Sequence, residues 1–125
     1  MRKIINVSNA PKPLAPYSQA TMSNGTLYVS GQIGINPASG KLVEGGIKAQ
    51  AQQIMENIGV ILKEAGLNYS DVVKCTIFMT DMFFYADINE VYGTFFKENP
   101  PAREAVAVKS LPANVQVEIS CIATE

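Results

Sequence analysis

An arginine and a glutamate near the end of the chain have the residue types and surroundings of a small anion-binding site. Arg103 follows prolines at positions 100 and 101, which stiffen the backbone and disfavour helix. Glu118 is a polar residue in the run 115–123, where apolar and polar residues alternate as in a β-strand. A guanidinium can bind a carboxylate through two parallel hydrogen bonds, and a buried carboxylate can shift its pKa and orient water.

A short turn, Leu111–Asn114, separates the run 115–123 from a second strand-like run, 104–109. We expect these two runs to pair as a β-hairpin, because turn residues of this kind commonly join adjacent strands. Arg103 would then lie near one end of the hairpin and Glu118 on its polar face. Both side chains could line one small cavity.

Simpler interpretations of the two residues stay open. Arg103 could be a surface arginine that pairs with Glu98 or Glu104. Glu118 could lie on a solvated outer face or form an ion pair between subunits. The spacing of the residues does not decide between these alternatives and a functional site.

Five further residues are candidates for the same cavity or for plain structural roles. Tyr17 follows Ala15-Pro16 and could offer its hydroxyl to a ligand, or be an amphipathic edge residue. Ser30 and Gly31 could present backbone groups to a ligand, or form an ordinary bulge. Asn89 lies on a predicted helix, where a solvated position is the simpler interpretation, and Tyr92 falls on the apolar stripe of that helix.

The composition restricts the chemistry. The 125 residues include no histidine, which excludes Ser-His and Cys-His nucleophile systems and removes the commonest metal ligand. No phosphate-binding glycine motif and no metal-ligand cluster is present, so we expect neither cofactor nor metal. Cys75 and Cys121 fall on apolar strand faces, which favours buried, inert thiols over catalysis or a disulfide. Catalysis would have to use Arg, Glu, Asp, Tyr, Lys, backbone groups and water.

The charge and hydropathy pattern indicate a globular protein of the cytosol. The formal net charge is −1 and there is no Lys/Arg run, so binding to nucleic acid or an anionic membrane through a basic surface is not expected. No apolar run is long enough to span a membrane. The N-terminus lacks the apolar stretch of a signal peptide. We expect one domain over residues 1–125.

Periodicity predicts a scaffold with the order β-β-β-α-β-α-β-β. Asn24-Gly25 between two extended runs is a strong hairpin signal, and Gly66 is a candidate helix C-cap. The earlier predicted elements are strands at 4–7, 17–23, 26–33 and 72–80, and helices at 47–65 and 83–97.

The crossover rule places both helices on one side of the sheet, because β-α-β units are right-handed. The other face would be partly apolar, since Val72, Phe78 and Ile122 point there among polar residues. A face of this kind usually contacts another subunit. The pattern therefore predicts a closed homo-oligomer with sites at the subunit boundaries.

Several stretches together resemble the RidA (YjgF, reactive intermediate deaminase) family. They occur in the family's order along nearly the whole chain, although each alone would be weak. The stretches are Ala15-Pro16-Tyr17-Ser18-Gln19-Ala20, Ser30-Gly31-Gln32-Ile33, Asp81-Met82, Asn89-Glu90-Val91-Tyr92, Pro101-Ala102-Arg103, Leu111-Pro112 and Val117-Glu118-Ile119.

The resemblance implies an α+β, chorismate-mutase-like fold of the bacillus type, with a mixed six-stranded sheet, two helices on one face and assembly as a homotrimer. It implies hydrolysis of 2-enamine and 2-imino acids, such as 2-aminoacrylate, to 2-keto acids and ammonia without a cofactor. Arg103 would bind the substrate carboxylate, Glu118 would position or activate water, and Tyr17 would be a pocket donor. Ser30, Gly31, Asn89 and Ala105 would line the substrate site.

Three positions depart from the family pattern. Ala105 stands where many deaminase members carry a cysteine, so no thiol takes part there. Gly34 replaces a common proline, and Glu104 stands where a small residue is frequent and could compete for the guanidinium. The alternative interpretation is a family member that binds small carboxylates such as 2-keto acids, or partner proteins, without catalysis. An endoribonuclease activity is disfavoured by the net charge and the absence of histidine.

Overall fold

Six strands form one mixed sheet in the computed structural model, which describes residues 2–125. The order across the sheet is β1-β2-β3-β8-β6-β7, and β6 with β7 is the parallel pair. Two short strands, β4 and β5, form a separate small hairpin that the sequence patterns did not predict. The strands are β1 (Lys3–Ile5), β2 (Ala20–Ser23), β3 (Thr26–Gln32), β4 (Ile35–Asn36), β5 (Lys41–Leu42), β6 (Val72–Met79), β7 (Ala102–Ala107) and β8 (Val117–Thr124).

Two helices, α1 (Ile47–Glu64) and α2 (Tyr85–Phe95), have the predicted apolar stripes. Gly66 has φ +78° just beyond the end of α1, as expected of a C-cap glycine. The second helix begins later than predicted, because a 3-10 turn at Met82–Phe84 precedes it. Asp81 caps this turn by accepting a hydrogen bond of 2.8 Å from the backbone N–H of Phe83. In the described chain, neither helix is both long and apolar enough to span a membrane.

Both helices pack on one face of the sheet, which confirms the prediction from crossover handedness. The core between them contains apolar residues of α1 and the inward faces of the central strands. Its fully buried large side chains are Leu27, Ile54, Met55, Ile58, Ile61, Leu62, Ile77, Met79, Ile88, Ile119, Val115 and Val117. The opposite face of the sheet is uncovered, and Tyr28, Phe78 and Ile122 are exposed or partly exposed there.

The predicted hairpin between the last two strands is wrong. β7 follows the crossover helix and pairs with β6 in parallel, while β8 inserts between β3 and β6. β6 carries Cys75, Ile77 and Met79 inward, and a central position gives this apolar strand a partner on each side. The turn that was expected to close the hairpin instead carries the chain past the end of β6.

The predicted orientation of the first residue of β6 is also wrong. Val72 was predicted to face away from the helices, but it is buried, and its neighbour Val73 is exposed. A register shift against β8 lies between Val72 and Lys74, so strict alternation fails at the start of the strand. By contrast, Asn24 and Gly25 both have positive φ, as the predicted two-residue hairpin requires.

Candidate active site

The Glu118 side chain lies on the open face of the sheet, directly over the backbone of Gly31. A Cβ atom built on Gly31 would lie 2.5 Å from Oε2 of Glu118, so the carboxylate occupies the space that a side chain would fill. Gly31 belongs to an irregular stretch of β3, where the register against β8 shifts between Val29 and Gln32. The bulge that was one of the two interpretations of Ser30 and Gly31 is therefore present here. At the same point, the Glu118 carboxylate comes close to the backbone of Gly31. Burial raises the pKa of the Glu118 carboxyl, which makes the carboxylate a stronger base.

Tyr17 and Ser30 lie near this carboxylate, around two neighbouring cavities. One cavity of about 170 Å³ is lined by Tyr17, Gly31 and mainly apolar residues, and a second of about 470 Å³ is lined by Tyr17, Ser30 and Thr21. The Ser30 hydroxyl donates a hydrogen bond of 2.7 Å to the Ser18 carbonyl. These contacts hold the segment that carries Tyr17 against the end of β3.

Gln19 fixes the segment before β2 from within the protein. Its side chain is 2 % exposed, and its Oε1 accepts a hydrogen bond of 2.6 Å from the Val7 N–H. Its Nε2 donates to the carbonyls of Val7, Ala10 and Pro11 at 3.0, 3.3 and 2.9 Å. Gln19 therefore positions the proline-rich segment and with it Tyr17, a role that the sequence analysis did not assign.

Arg103 lies on β7, the strand at one edge of the sheet, and faces the helices. Its guanidinium carbon lies 4.9 Å from the ring centre of Tyr92 and 5.6 Å from that of Tyr85. Its Nη2 donates a hydrogen bond of 3.1 Å to the Tyr85 hydroxyl. Within residues 2–125 the guanidinium has no carboxylate partner within ion-pair distance. The alternative in which Arg103 pairs with Glu98 or Glu104 is therefore not found in this part of the chain.

Glu104 points to the opposite face from Arg103, because neighbouring residues of a strand alternate. It forms an ion pair of 3.1 Å with Lys74 and accepts a hydrogen bond of 3.0 Å from Thr76. Lys74 and then Thr76 lower the pKa of the Glu104 carboxyl by favouring its charged form. The possibility that Glu104 competes for the guanidinium is thus contradicted within one chain.

Asn89 lies on α2, the helix that carries the two tyrosines beside Arg103, and Ala105 lies on β7, the strand that carries Arg103 itself. Asn89 is on α2 between Tyr85 and Tyr92, four residues after the first and three before the second, so all three share one helical stripe. Ala105 is two residues after Arg103 on β7 and faces the same side of the sheet. Both are partly buried.

Two of the three predicted catalytic residues, Arg103 and Glu118, are separated within one chain. Arg103 is in register with Cys75 of β6, whereas Glu118 is in register with Phe78. Across the sheet, the two residues are two inter-strand spacings apart, which is about 10 Å. Along the strands, they are three residues apart, which is also about 10 Å. They also face opposite sides of the sheet, since Cys75 is buried under the helices and Glu118 is on the open face. The expectation that one hairpin joins them in a cavity is therefore wrong, and a small ligand could contact both only where two chains meet.

Behind Arg103, two cysteines and a tyrosine form a buried group. Cys75 and Cys121 are directly opposite each other on β6 and β8, and both are free and buried. Burial raises the pKa of each thiol, as expected for the predicted inert cysteines. The Tyr92 hydroxyl is buried without a well-formed hydrogen bond, and Cys75, a weak partner, is its neighbour. Burial first, and the Cys75 thiol second, raise the pKa of Tyr92.

A family model described as Endoribonuclease L-PSP matches residues 7–125. The chain belongs to this family. A RutC family protein of Pyrococcus horikoshii is 47% identical over 98% of both chains. A 2-iminobutanoate/2-iminopropanoate deaminase of Mus musculus is 44% identical over 100% of this chain and 93% of its own. These names and the predicted RidA resemblance refer to the same family, although the family description and the mouse protein name different activities.

Solved structures in this family have the same architecture. The crystal structure of a putative endoribonuclease from Thermotoga maritima superposes with a TM-score of 0.97 and 42% identity, over 100% of this chain and 98% of that one. The α+β, chorismate-mutase-like fold implied by the sequence resemblance is thereby confirmed. Four of the seven stretches that carry the resemblance fall at β3, α2, β7 and β8, and a fifth, which contains Tyr17, leads into β2. These five stretches contain every candidate site residue except Ala105, which is on β7.

The sequence pattern did not indicate that Tyr85 and Tyr92 both lie beside the guanidinium of Arg103. Tyr92 was predicted to be core, and it is 5 % exposed, but one face of its ring also supports the guanidinium of Arg103. Tyr85 is seven residues before Tyr92, about two helical turns, so the helical spacing of two tyrosines was the available signal.

Proposed function

We propose that this protein hydrolyses 2-imino and 2-enamine acids to 2-keto acids and ammonia. The observation that carries the proposal is the guanidinium of Arg103, which is held by two tyrosine rings and has no carboxylate partner within residues 2–125. A planar fork with unused donors suits the carboxylate that every such substrate carries. The mouse relative, 44% identical over the whole chain, is named as a deaminase of this kind.

The proposed site combines residues of two chains. One chain would contribute Arg103, with Asn89 and Ala105 beside it, and a neighbouring chain would contribute Tyr17, Glu118 and the backbone at Ser30 and Gly31. The separation of Arg103 and Glu118 on opposite faces supports this arrangement, and so does the uncovered, partly apolar face that carries Glu118. A closed homotrimer, which the family resemblance implies, would form three such sites.

The chemistry requires orientation and one proton acceptor. Arg103 binds the carboxylate and fixes the imine carbon opposite Glu118. A 2-enamine acid first tautomerises to the imine, and the imine reacts in its N-protonated form. Glu118 accepts a proton from water as the water oxygen bonds to that carbon, giving a neutral carbinolamine. Glu118 returns this proton to the nitrogen, and the C–N bond then breaks and ammonia leaves. The hydroxyl proton passes to Glu118 as the C=O bond of the 2-keto acid forms, and Glu118 releases it to the ammonia. Tyr17 donates a hydrogen bond within the pocket. Because imines already hydrolyse in water, modest acid–base help is sufficient.

A direct assay tests the reaction. An amino-acid oxidase generates 2-iminobutanoate or 2-iminopropanoate, and imine loss is followed with and without the purified protein. We expect acceleration by the wild-type protein and its loss in Arg103→Ala, while Lys63→Ala, which removes an exposed cation from α1, keeps the wild-type rate. No acceleration by the wild-type protein would refute the proposed reaction, and an undiminished rate in Arg103→Ala would refute the role of Arg103.

Mixed oligomers test the two-chain site. Arg103→Ala and Glu118→Gln chains should each have at most a low rate alone, but co-expression combines them in one assembly. With random mixing in a closed ring, about one site in four receives both an intact Arg103 and an intact Glu118 from adjacent chains. Activity should therefore return to about a quarter of the wild-type level. If both residues act from the same chain, no activity returns.

A second candidate function is binding of small 2-keto acids without turnover. The same contacts of Arg103 favour it, because they bind a carboxylate whether or not water is activated. Titration with 2-ketobutanoate would then show binding that is lost in Arg103→Ala, with no effect of the wild-type protein on imine loss. RNA cleavage is tested in the same preparations, and cleavage that copurifies with the protein and is lost in Arg103→Ala would contradict both candidates.

A further inference from the structure

We propose that Tyr85 is a positioning residue that fixes the orientation of the Arg103 guanidinium for carboxylate binding. Tyr85 is the first residue of α2, and its hydroxyl accepts the hydrogen bond of 3.1 Å from Nη2 of Arg103. Its ring centre lies 5.6 Å from the guanidinium carbon. The inference rests on the proposed function, because it assigns Arg103 a carboxylate to bind.

The helix places two aromatic rings beside one guanidinium. Tyr85 and Tyr92 are about two turns apart on the same stripe of α2, and both rings lie within cation–π distance of Arg103. Tyr92 is buried and forms part of the core, so it supports the guanidinium from below. Tyr85 is 37 % exposed and contacts the guanidinium near the solvent. The two rings therefore restrict the side chain of Arg103 on its core side, through Tyr92, and on its solvent side, through Tyr85.

A tyrosine hydroxyl can hold an arginine without neutralising it. A carboxylate in the position of Tyr85 would form an ion pair and use the fork that a ligand needs, whereas the neutral hydroxyl accepts one hydrogen bond. The guanidinium has five N–H donors, so the remaining ones stay available to a substrate carboxylate. Since no carboxylate within residues 2–125 pairs with Arg103, its full charge is also available to a ligand.

This role predicts an effect on binding more than on the chemical step. The carboxylate is bound before and during the reaction, so a poorly oriented guanidinium weakens ground-state and transition-state binding alike. Tyr85→Phe keeps the ring and removes the hydroxyl. We expect KM to rise about fivefold to tenfold, which is within the effect of losing one ordinary hydrogen bond, with kcat changed less than about twofold.

The test compares Tyr85→Phe with Thr94→Val, which removes a hydroxyl from the same helix where it donates to the Val91 carbonyl. The readouts are KM and kcat for 2-iminobutanoate and the Kd of 2-ketobutanoate by calorimetry. Tyr85→Phe should raise KM and Kd together, and Thr94→Val should change neither. Unchanged KM and Kd in Tyr85→Phe, or equal changes in Thr94→Val, would overturn the inference.

A double-mutant cycle separates positioning from a general structural effect. In an Arg103→Lys background the planar fork is absent, so the additional change Tyr85→Phe should have little further effect on the Kd of 2-ketobutanoate. An effect as large as in the wild-type background would show that Tyr85 acts independently of Arg103. The binding readout also distinguishes this inference from the proposed reaction, because a wild-type protein without turnover still reports whether Tyr85 supports carboxylate binding.

Discussion

The substitution Gly31→Ala should disable the candidate site with little loss of stability. A Cβ atom at Gly31 would lie 2.5 Å from Oε2, 2.6 Å from Cδ and 3.0 Å from Cγ of Glu118. Ordinary van der Waals contact begins at 3.4 Å, so the carboxylate oxygen would have to move by about 0.9 Å (3.4 minus 2.5). Gly31 does not have a positive φ, so alanine itself fits the backbone.

The expected losses of stability and activity in Gly31→Ala depend on which atoms of Glu118 the new Cβ atom would contact. The clashing atoms belong to the far end of a half-buried side chain on an open sheet face, so we expect a cost of about 1 kcal/mol in the free energy of unfolding. The effect on catalysis should be larger, because a misplacement of about 1 Å can reduce a rate about 100-fold, equivalent to about 2.7 kcal/mol in the barrier. Activity should therefore fall far more than stability.

The assay measures kcat/KM for 2-iminobutanoate and the thermal unfolding midpoint of the same preparations. Gly93→Ala is the matched control, because the residue is on α2 and a Cβ atom there meets no atom of residues 2–125 within 4 Å apart from its chain neighbours and its own helix backbone. This control should keep wild-type activity and gain up to about 1 kcal/mol in stability through better helix propensity. Wild-type kcat/KM in Gly31→Ala would refute the argument that the carboxylate acts from its position over Gly31.

Three further predictions concern Glu118 and the scaffold around the site. Because burial raises the pKa of Glu118, the carboxylate is protonated at a higher pH than an ordinary glutamate; kcat/KM should fall as pH decreases through this raised pKa, and Glu118→Gln should leave a low rate without this dependence. Gln19→Ala should lower the free energy of unfolding by about 3 kcal/mol, because it removes the four hydrogen bonds between the buried Gln19 side chain and the backbone, including that from the part-buried Val7 N–H. Chemical denaturation measures the loss, and a loss below about 0.5 kcal/mol would contradict it. Gly59→Ala should cost about 2 kcal/mol, because its Cβ would lie 2.8 Å from Cζ of Tyr69, whose hydroxyl donates to a helix carbonyl. Calorimetric unfolding of the single variant and of a double variant with Tyr69→Leu tests this cause, since the smaller side chain should relieve the strain that Gly59→Ala adds.

The elements of the fold could be predicted where the signal is local. Helix α1 begins at Ile47 as its apolar stripe predicts, and the positive φ angles at Asn24 and Gly25 follow from the residue types. Asp81 caps the turn before α2 by accepting a hydrogen bond from the N–H of Phe83, two residues later. Each of these features depends on residues within a few positions of one another, so a single sequence contains the information.

Strand neighbours could not be predicted in the same way. The hairpin of β7 and β8 was the favoured local solution, yet β6 lies between them. A strand with an apolar inward face is stabilised more by two hydrogen-bonded neighbours than by an edge position, and this competition involves residues far apart in the chain. The burial of Val72 has a similar origin, because the register shift depends on pairing with β8.

The sequence by itself determined which residues could do chemistry: an arginine behind two prolines, a glutamate in an alternating strand, and no histidine. Only the tertiary structure decided that Arg103 faces the tyrosines of α2 while Glu118 faces Gly31 on the other side of the sheet. The physical reason is that alternation along a strand fixes which residues share a face, whereas the order of strands and the helix covering one face fix what those residues contact.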